Sequence, residues 1–205
     1  MSLENKNPHL LKRHSLFAMF CLSYFPLFIL LSIKIFLAKL KYLNYGGFNR
    51  ESIWLFFRNY GFIFILVFLS IYAFWGTAIT FKKILKKKSN AFPVKITAIK
   101  SKNEEALSYL ATYVIPLLAQ GNIGIFEYAT FIVLFIIYYK LYSTSNLILI
   151  NPILNMKYGL FDINYFHISQ QKETKNALII SNQKWIDEDD EISIIKLSHR
   201  LYFAY

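Results

Sequence analysis

Long runs of apolar residues constrain this chain more than any other feature of its sequence. The first run covers residues 15–38, and the second covers residues 60–81 without a single charged residue. An α-helix needs about 20 apolar residues to cross the hydrocarbon core of a bilayer, and both runs are long enough. Pro26 lies inside the first run and predicts a kink there. These runs therefore predict helices that span a membrane.

Two weaker runs follow in the second half of the chain. Residues 106–119 would rise only about 21 Å as a helix, less than the roughly 30 Å of the hydrocarbon core. We interpret this run as a span packed inside a bundle, and a re-entrant segment is the alternative that its length leaves open. Residues 125–142 form the fourth run. The predicted fold class is a membrane α-helical bundle of about four transmembrane helices with a small cytoplasmic β-rich domain.

Short strands are predicted after the last apolar run. Apolar and polar residues alternate over 161–165, and residues 177–180, 192–197 and 201–205 are further strand candidates. Residues 93–100 alternate in part and are predicted to join the same sheet or small barrel. The predicted organisation is an N-terminal tail at 1–14, a transmembrane region at 15–154 and a β-rich tail at 155–205.

The distribution of Lys and Arg predicts the orientation. Eleven lie in the N-terminal tail and in a predicted Lys-rich loop at 82–104, against four in the loop at 39–59. By the positive-inside rule both termini are expected in the cytoplasm. The densest cluster is interpreted as an orientation signal, with contact to anionic lipid or to an acidic partner as the functional alternative. It comprises Lys82, Lys83, Lys86, Lys87 and Lys88.

The third run holds the candidates for a moving or polar element. Tyr109, Thr112 and Tyr113 share one helix face. Hydrogen bonding between helices is the ordinary explanation of that face, and lining a pore is the alternative. Pro116 removes a backbone hydrogen bond from the same run, and we predict that it acts as a conformational switch.

Other polar residues suggest little chemistry. Glu127 is a predicted membrane-boundary carboxylate, either a favourable charge at a helix N-terminus or a relay group. The acidic run at 187–191 lacks the EF-hand pattern and is interpreted as a solvated hairpin turn. The histidines are scattered, and no catalytic motif is present. We therefore expect no enzymatic activity, no metal site and no cofactor.

Two parts of the sequence carry a family resemblance. Residues 103–117, and later Asn-Pro-Ile-Leu at 151–154 followed by Tyr158-Gly159, resemble segments of small bacterial defence membrane proteins. Over nearly its whole length the chain resembles the KwaA family, the membrane subunits of the Kiwa anti-phage system. The resemblance implies a multi-pass protein of the bacterial inner membrane that forms a homo-oligomer such as a tetramer. It also implies a soluble DNA-binding partner, KwaB, so direct nucleic-acid binding by this chain is not expected.

Three functions follow as hypotheses. The first is a membrane sensor and scaffold that recruits and regulates the cytoplasmic partner. The second is an oligomeric pore-forming effector that permeabilises the membrane, and the third is a small channel or transporter. A transporter usually shows repeated halves, and this sequence has no internal repeat. The sensor is therefore the preferred hypothesis.

Overall fold

The computed structural model describes residues 11–44, 47–86, 88–102, 125–144, 151–168, 170–198 and 200–205. This part of the chain contains five α-helices and a five-stranded barrel. The helices are α1 (Arg13–Ser23), α2 (Phe25–Ala38), α3 (Arg50–Leu85), α4 (Ile125–Thr144) and α5 (Pro152–Lys157). The strands are β1 (Phe92–Ser101), β2 (Gly159–His167), β3 (Gln170–Ser181), β4 (Glu191–Lys196) and β5 (Leu201–Ala204).

The first apolar run forms two helices rather than one. The axes of α1 and α2 meet at a bend of 55°, and Tyr24 occupies the break. Pro26 lies in the first turn of α2. The N–H groups of a first turn have no partner within the helix, so proline costs no hydrogen bond there. The kink predicted from Pro26 is therefore present, and it divides the run.

The second apolar run lies in α3, which is longer than the sequence predicted. Asn49 caps the helix, because its side chain accepts a hydrogen bond of 2.8 Å from the backbone N–H of Ser52. The prediction of a loop at 39–59 is therefore wrong from Arg50 onward, where the chain is helical. At its other end α3 continues through Lys82 and Lys83. The described part of the predicted Lys-rich loop at 82–104 therefore begins inside a helix and contains the whole of β1.

The prediction of a four-helix membrane bundle is wrong. Among the described residues, α3 alone is long and apolar enough to cross a bilayer, and α1 with α2 adds a second candidate only if the bent pair is one span. Helix α4 contributes a shorter apolar segment, Tyr128–Ser143. The bend is one physical reason, because halves of 11 and 14 residues are each too short to cross alone. The apolar part of α4 is also too short.

The strands close into a barrel in the order β1-β2-β3-β5-β4. β1 pairs with both β2 and β4, and β3 runs parallel to β5, while the other neighbours are antiparallel. This topology is that of the five-stranded Greek-key barrels called OB-folds. Strands occur at all five segments where the sequence predicts them. Closure pairs every strand on both sides, which removes the exposed edges of an open sheet.

Two hydrophobic cores follow from the alternation along the strands. Inward-facing side chains such as Val94, Ile163 and Ile179 fill the barrel. Outward-facing side chains of three strands instead join the core of the helices. These are Leu160, Leu178, Ile180, Leu201 and Phe203. The barrel is thus packed against the helical region through a shared apolar core.

The helices pack through aromatic and small side chains. Helices α1 and α2 lie against α3, and α4 lies against α1. The ring of Phe20 in α1 contacts three rings of α4, those of Phe135, Tyr139 and Tyr142, with centroids 4.9–5.3 Å apart. Such tilted and edge-to-face aromatic pairs add to the stabilisation that burial provides.

Candidate functional site

The last turns of α3 contact the barrel at a set of residues that we call the helix–barrel junction: Phe81, Ile84, Tyr158, Phe203 and Tyr205. The ring of Phe81 stacks on that of Tyr158, with centroids 4.7 Å apart and planes 8° apart. Phe203 presents its ring edge-on to Phe81 at 5.8 Å. These contacts join the long helix directly to the barrel.

A hydrogen bond also crosses the junction. The hydroxyl of Tyr205 donates to the backbone carbonyl of Ile84 at 3.3 Å. Burial raises the pKa of Tyr205 above its ordinary value of 10.0. The hydroxyl therefore keeps its proton at neutral pH and remains a donor.

Local sequence explains how Tyr158 reaches this position. The side chain of Asn151 accepts hydrogen bonds of 3.1 Å from the backbone N–H groups of Ile153 and Leu154, which caps the start of α5. Pro152 occupies the first turn, where proline is well tolerated. The short helix ends at Lys157, and Tyr158 follows as its C-cap.

Asn151 also ties this short helix to α1. Its side chain is completely buried, and its Nδ2 donates a hydrogen bond of 2.8 Å to the carbonyl of Met19. Both ends of the amide are thus used, as a buried polar group requires. Asn151 therefore positions α5 against the helical core.

Gly159 is needed at the start of β2 because of space. A Cβ at this position would lie 2.6 Å from the carbonyl oxygen of Gln183 and 2.5 Å from the ring of Phe161. The Asn-Pro and Tyr-Gly segments, which carry part of the family resemblance, therefore build the helix–barrel junction.

A groove opens beside the junction with a volume of about 330 Å³. Its apolar wall includes Leu22, Phe74, Ala78, Phe81, Leu154 and Tyr158. Its polar lining consists of Thr77, Lys82 and Lys157, and both lysine side chains are exposed. The ammonium group of Lys157 lies 5.5 Å from the ring of Tyr158. The groove can thus accept an apolar group with a negative charge at one end.

The predicted lysine cluster lies at the same end of α3. Lys82, Lys83 and Lys86 are exposed, but only Lys82 lines the groove. Lys88 begins a short 3-10 turn, Lys88–Asn90, and Lys87 lies outside the described residues. The structure thus places one predicted lysine at a possible binding site.

The structure does not test the roles predicted for the other site residues. Tyr109, Thr112, Tyr113 and Pro116 lie outside the described residues, so their predicted roles stay predictions. Glu127 lies in the first turn of α4 as described, and its role likewise stays a prediction.

The acidic run forms a turn, although not a hairpin. The N–H of Asp187 donates to the carboxylate of Asp190 at 2.9 Å, and Lys95 pairs with Asp189 at 3.0 Å. β3 and β4 are not neighbours in the barrel, so the hairpin interpretation is wrong. Among the described residues no three His, Cys, Asp or Glu side chains come together as a metal site.

Sequence reasoning missed Thr77, Lys157 and the role of Phe81. Lys82 and Lys157 are far apart in the sequence, and no spacing rule connects them. Only the Asn-Pro pair signalled this region, since it predicts where a helix begins.

Comparisons with known proteins agree on one family. The profile of the family described as "Anti-phage protein KwaA" matches residues 15–203. A curated relative, the Kiwa protein KwaA of Escherichia coli O55:H7 (strain RM12579 / EPEC), is 24% identical over 124 residues. That alignment covers 60% of this chain and 58% of the relative, so the chain spans little more than half of the relative's length. No solved structure gives a significant match.

Proposed function

The chain belongs to the KwaA family of anti-phage proteins, and we propose that it acts as the membrane sensor and scaffold of a defence complex. The family gives it a role in anti-phage defence. Within that role, the helices would report on the state of the inner membrane, and the barrel would recruit and regulate a soluble DNA-binding partner, KwaB. The proposal includes no catalytic step, no cofactor and no direct contact with nucleic acid.

The exposed apolar surface of α3 supports insertion in the membrane. Only 17% of its most apolar 18-residue window is buried, whereas the core helix of a soluble protein would be mostly buried. Phe68 and Trp75 on this helix are 69% and 71% exposed. Apolar surface of this extent is unfavourable in water. Lipid, or further copies in a homo-oligomer such as a tetramer, would cover it.

The ends of α3 suit the two surfaces of a bilayer. Near its start Trp54 lies under the guanidinium of Arg58, 5.1 Å from the ring centroid, which is typical of an aromatic belt. Lys82 and Lys83 lie in its last turn. Trp54 and Lys82 are separated by about 42 Å of helix, close to the roughly 40–45 Å of a bilayer with its headgroup regions. The lysines would face the cytoplasm.

The stack of Phe81 on Tyr158 is the observation that carries the sensor proposal. Helix α3 runs without a break from its apolar segment to this contact. A tilt or shift of α3 would therefore act directly on the barrel, whereas a simple anchor would need no such contact. Coupling between the membrane segment of α3 and the barrel requires a packed element whose arrangement both of them affect.

The pore hypothesis depends on the polar face in residues 106–119, and the transporter hypothesis lacks the repeated halves that it would require. Those residues lie outside the described part of the chain, and nothing in the described part favours either hypothesis over the sensor. The switch predicted at Pro116 belongs to the same segment. Undiminished phage protection by Pro116→Ala would refute that role.

A pull-down combined with a protection assay tests the proposal. The tagged full-length protein is purified in detergent from cells that carry its genomic neighbours, and the same cells are challenged with phage. Phe81→Leu removes the stacked ring, and Phe68→Leu is the matched control, the same change at an exposed position of the same helix. We expect both variants to recover the partner, and only Phe81→Leu to lose protection.

Two results would contradict the proposal. Recovery of the tagged protein without any soluble partner would refute the scaffold role. Equal protection by Phe81→Leu and Phe68→Leu would refute coupling through the junction.

A further inference from the structure

We propose that the groove beside the helix–barrel junction binds one anionic phospholipid of the inner leaflet. The phosphate would lie between Lys82 and Lys157, and an acyl chain would follow Leu22 and Phe74. The inference rests on the proposed function in one respect, the position of this end of α3 at the cytoplasmic membrane surface. It adds a ligand to the sensor and a position for that ligand at the contact with the barrel.

The groove has the size and composition of a ligand site. Its volume of about 330 Å³ lies at the lower end of the roughly 300–1,000 Å³ common for small-molecule sites. Most of its described lining is apolar, and its polar side chains come from the last turns of α3 and from the end of α5. A lipid satisfies both parts of this lining, since it has an apolar chain and a charged head.

The order of residues along α3 matches the depth profile of a lipid. Thr77 precedes Lys82 by about 7.5 Å of helix, and Phe74 precedes it by about 12 Å. The charged side chain thus lies at the surface, the hydroxyl at the depth of the ester groups, and the ring at the depth of the acyl chains. A soluble anion would use only the first of these levels.

Thr77 lines the groove, but its hydroxyl oxygen is enclosed by protein. Its side chain is only 5% exposed, and its hydroxyl oxygen has no hydrogen-bond partner in the described part of the chain. Two other hydroxyls of α3 behave differently. Those of Ser70 and Thr80 donate to the carbonyls of Leu66 and Gly76, both at 2.8 Å. A buried hydroxyl without a partner is uncommon, and because this one does not open onto the groove, the lipid site rests on the two lysines and the apolar wall.

The charges of the groove favour an anion. Among the described residues, those that line it include two lysines and no carboxylate. Lys83 lies in the last turn of α3 and Lys86 is the C-cap of this helix, and both lie outside the groove. They attract an anionic membrane surface in general, and they therefore provide the charge control for the experiment.

Lipid binding is measured on the purified full-length protein in detergent, without the partner. Dioleoyl phosphatidylglycerol is added, and the melting temperature and the lipid retained in native mass spectrometry are recorded. Dioleoyl phosphatidylcholine tests the need for negative charge, and inorganic phosphate tests the need for the acyl chain. We expect phosphatidylglycerol alone to raise the melting temperature.

Two double variants with equal net charge separate the groove from general attraction. Lys82→Gln with Lys157→Gln should weaken phosphatidylglycerol binding roughly 30-fold. Lys83→Gln with Lys86→Gln removes the same charge outside the groove and should change the affinity far less. Equal affinity of the two double variants would overturn the proposal.

The lipid and partner experiments fail independently. Absence of a phosphatidylglycerol shift, or an equal shift with inorganic phosphate, would overturn the lipid site even if the partner is recovered. Loss of the partner with intact lipid binding would overturn the scaffold and leave the lipid site in place.

Discussion

Replacing Gly76 by alanine would introduce a methyl group into the contact between α1 and α3. A Cβ at this position would lie 2.7 Å from the Cβ of Ala18, whereas non-bonded carbon atoms prefer about 3.5–4.0 Å. Ala18 is fully buried and has no side-chain torsion that could move its methyl group aside. The helices would therefore have to separate by about 1 Å.

Gly61 in the same helix provides the control that sets the magnitude. A Cβ at Gly61 would meet nothing within 4 Å. Both substitutions gain up to about 1 kcal/mol of helix propensity, so this gain cancels when the two variants are compared. The remaining difference is the cost of overpacking, about 1–3 kcal/mol. Gly76→Ala should be the less stable variant by that amount.

Unfolding in detergent, followed by circular dichroism, measures this difference. Each kcal/mol corresponds to about 2–4 °C in melting temperature for a protein of this size. Adding Ala18→Gly to Gly76→Ala restores the space between the helices and should recover part of the loss, although glycine in α1 costs propensity of its own. If Gly76→Ala and Gly61→Ala have the same melting temperature, the close approach of α1 and α3 is refuted.

Three further predictions concern the helix–barrel junction. Asn151→Ala removes the cap of α5 and the bond to Met19, so we expect a loss of about 1–3 kcal/mol in the free energy of unfolding; an unchanged melting temperature would refute this. Gly159→Ala should cost about 1–3 kcal/mol through overpacking, seen as a lower melting temperature, and wild-type stability would show that the backbone can adjust. Burial raises the pKa of Tyr205, so the folded state favours the protonated hydroxyl. The stability that this hydroxyl contributes to the folded state is complete below the ordinary pKa of 10.0 and is lost as the pH rises above it. Melting curves at alkaline pH should therefore show a weaker pH dependence in Tyr205→Phe, and curves parallel to the wild type would contradict the assignment.

The strands illustrate what local sequence can predict. Strands form at residues 161–165 and at the other four predicted segments, because alternation and β-propensity depend only on neighbouring residues. The parallel pairing of β3 with β5 and the closure of the barrel were not predicted. They depend on register between segments separated by long connections, and no sequence window contains that information.

The helices show the same division. The apolar runs and charge clusters predicted the apolar character of α3 and the positive charge at one end, and Pro26 predicted a kink in the first run. The number of spans was overestimated, because a proline position does not show that a bend of 55° divides the run into two short helices. The boundary at Arg50 was also missed, since the Asn49 cap lies within a segment of mixed polarity.

Features read along the chain were sufficient to predict the family, which the comparisons confirm, and also the apolar helices and the strand segments. Only the folded protein shows that the first run is divided, that α3 contacts the barrel, and that one groove brings Thr77, Lys82 and Lys157 together. Hydrophobicity and periodicity are properties of adjacent residues, so they can be read along the chain. The junction and the groove arise where remote segments pack, and their geometry exists only once those segments share one core.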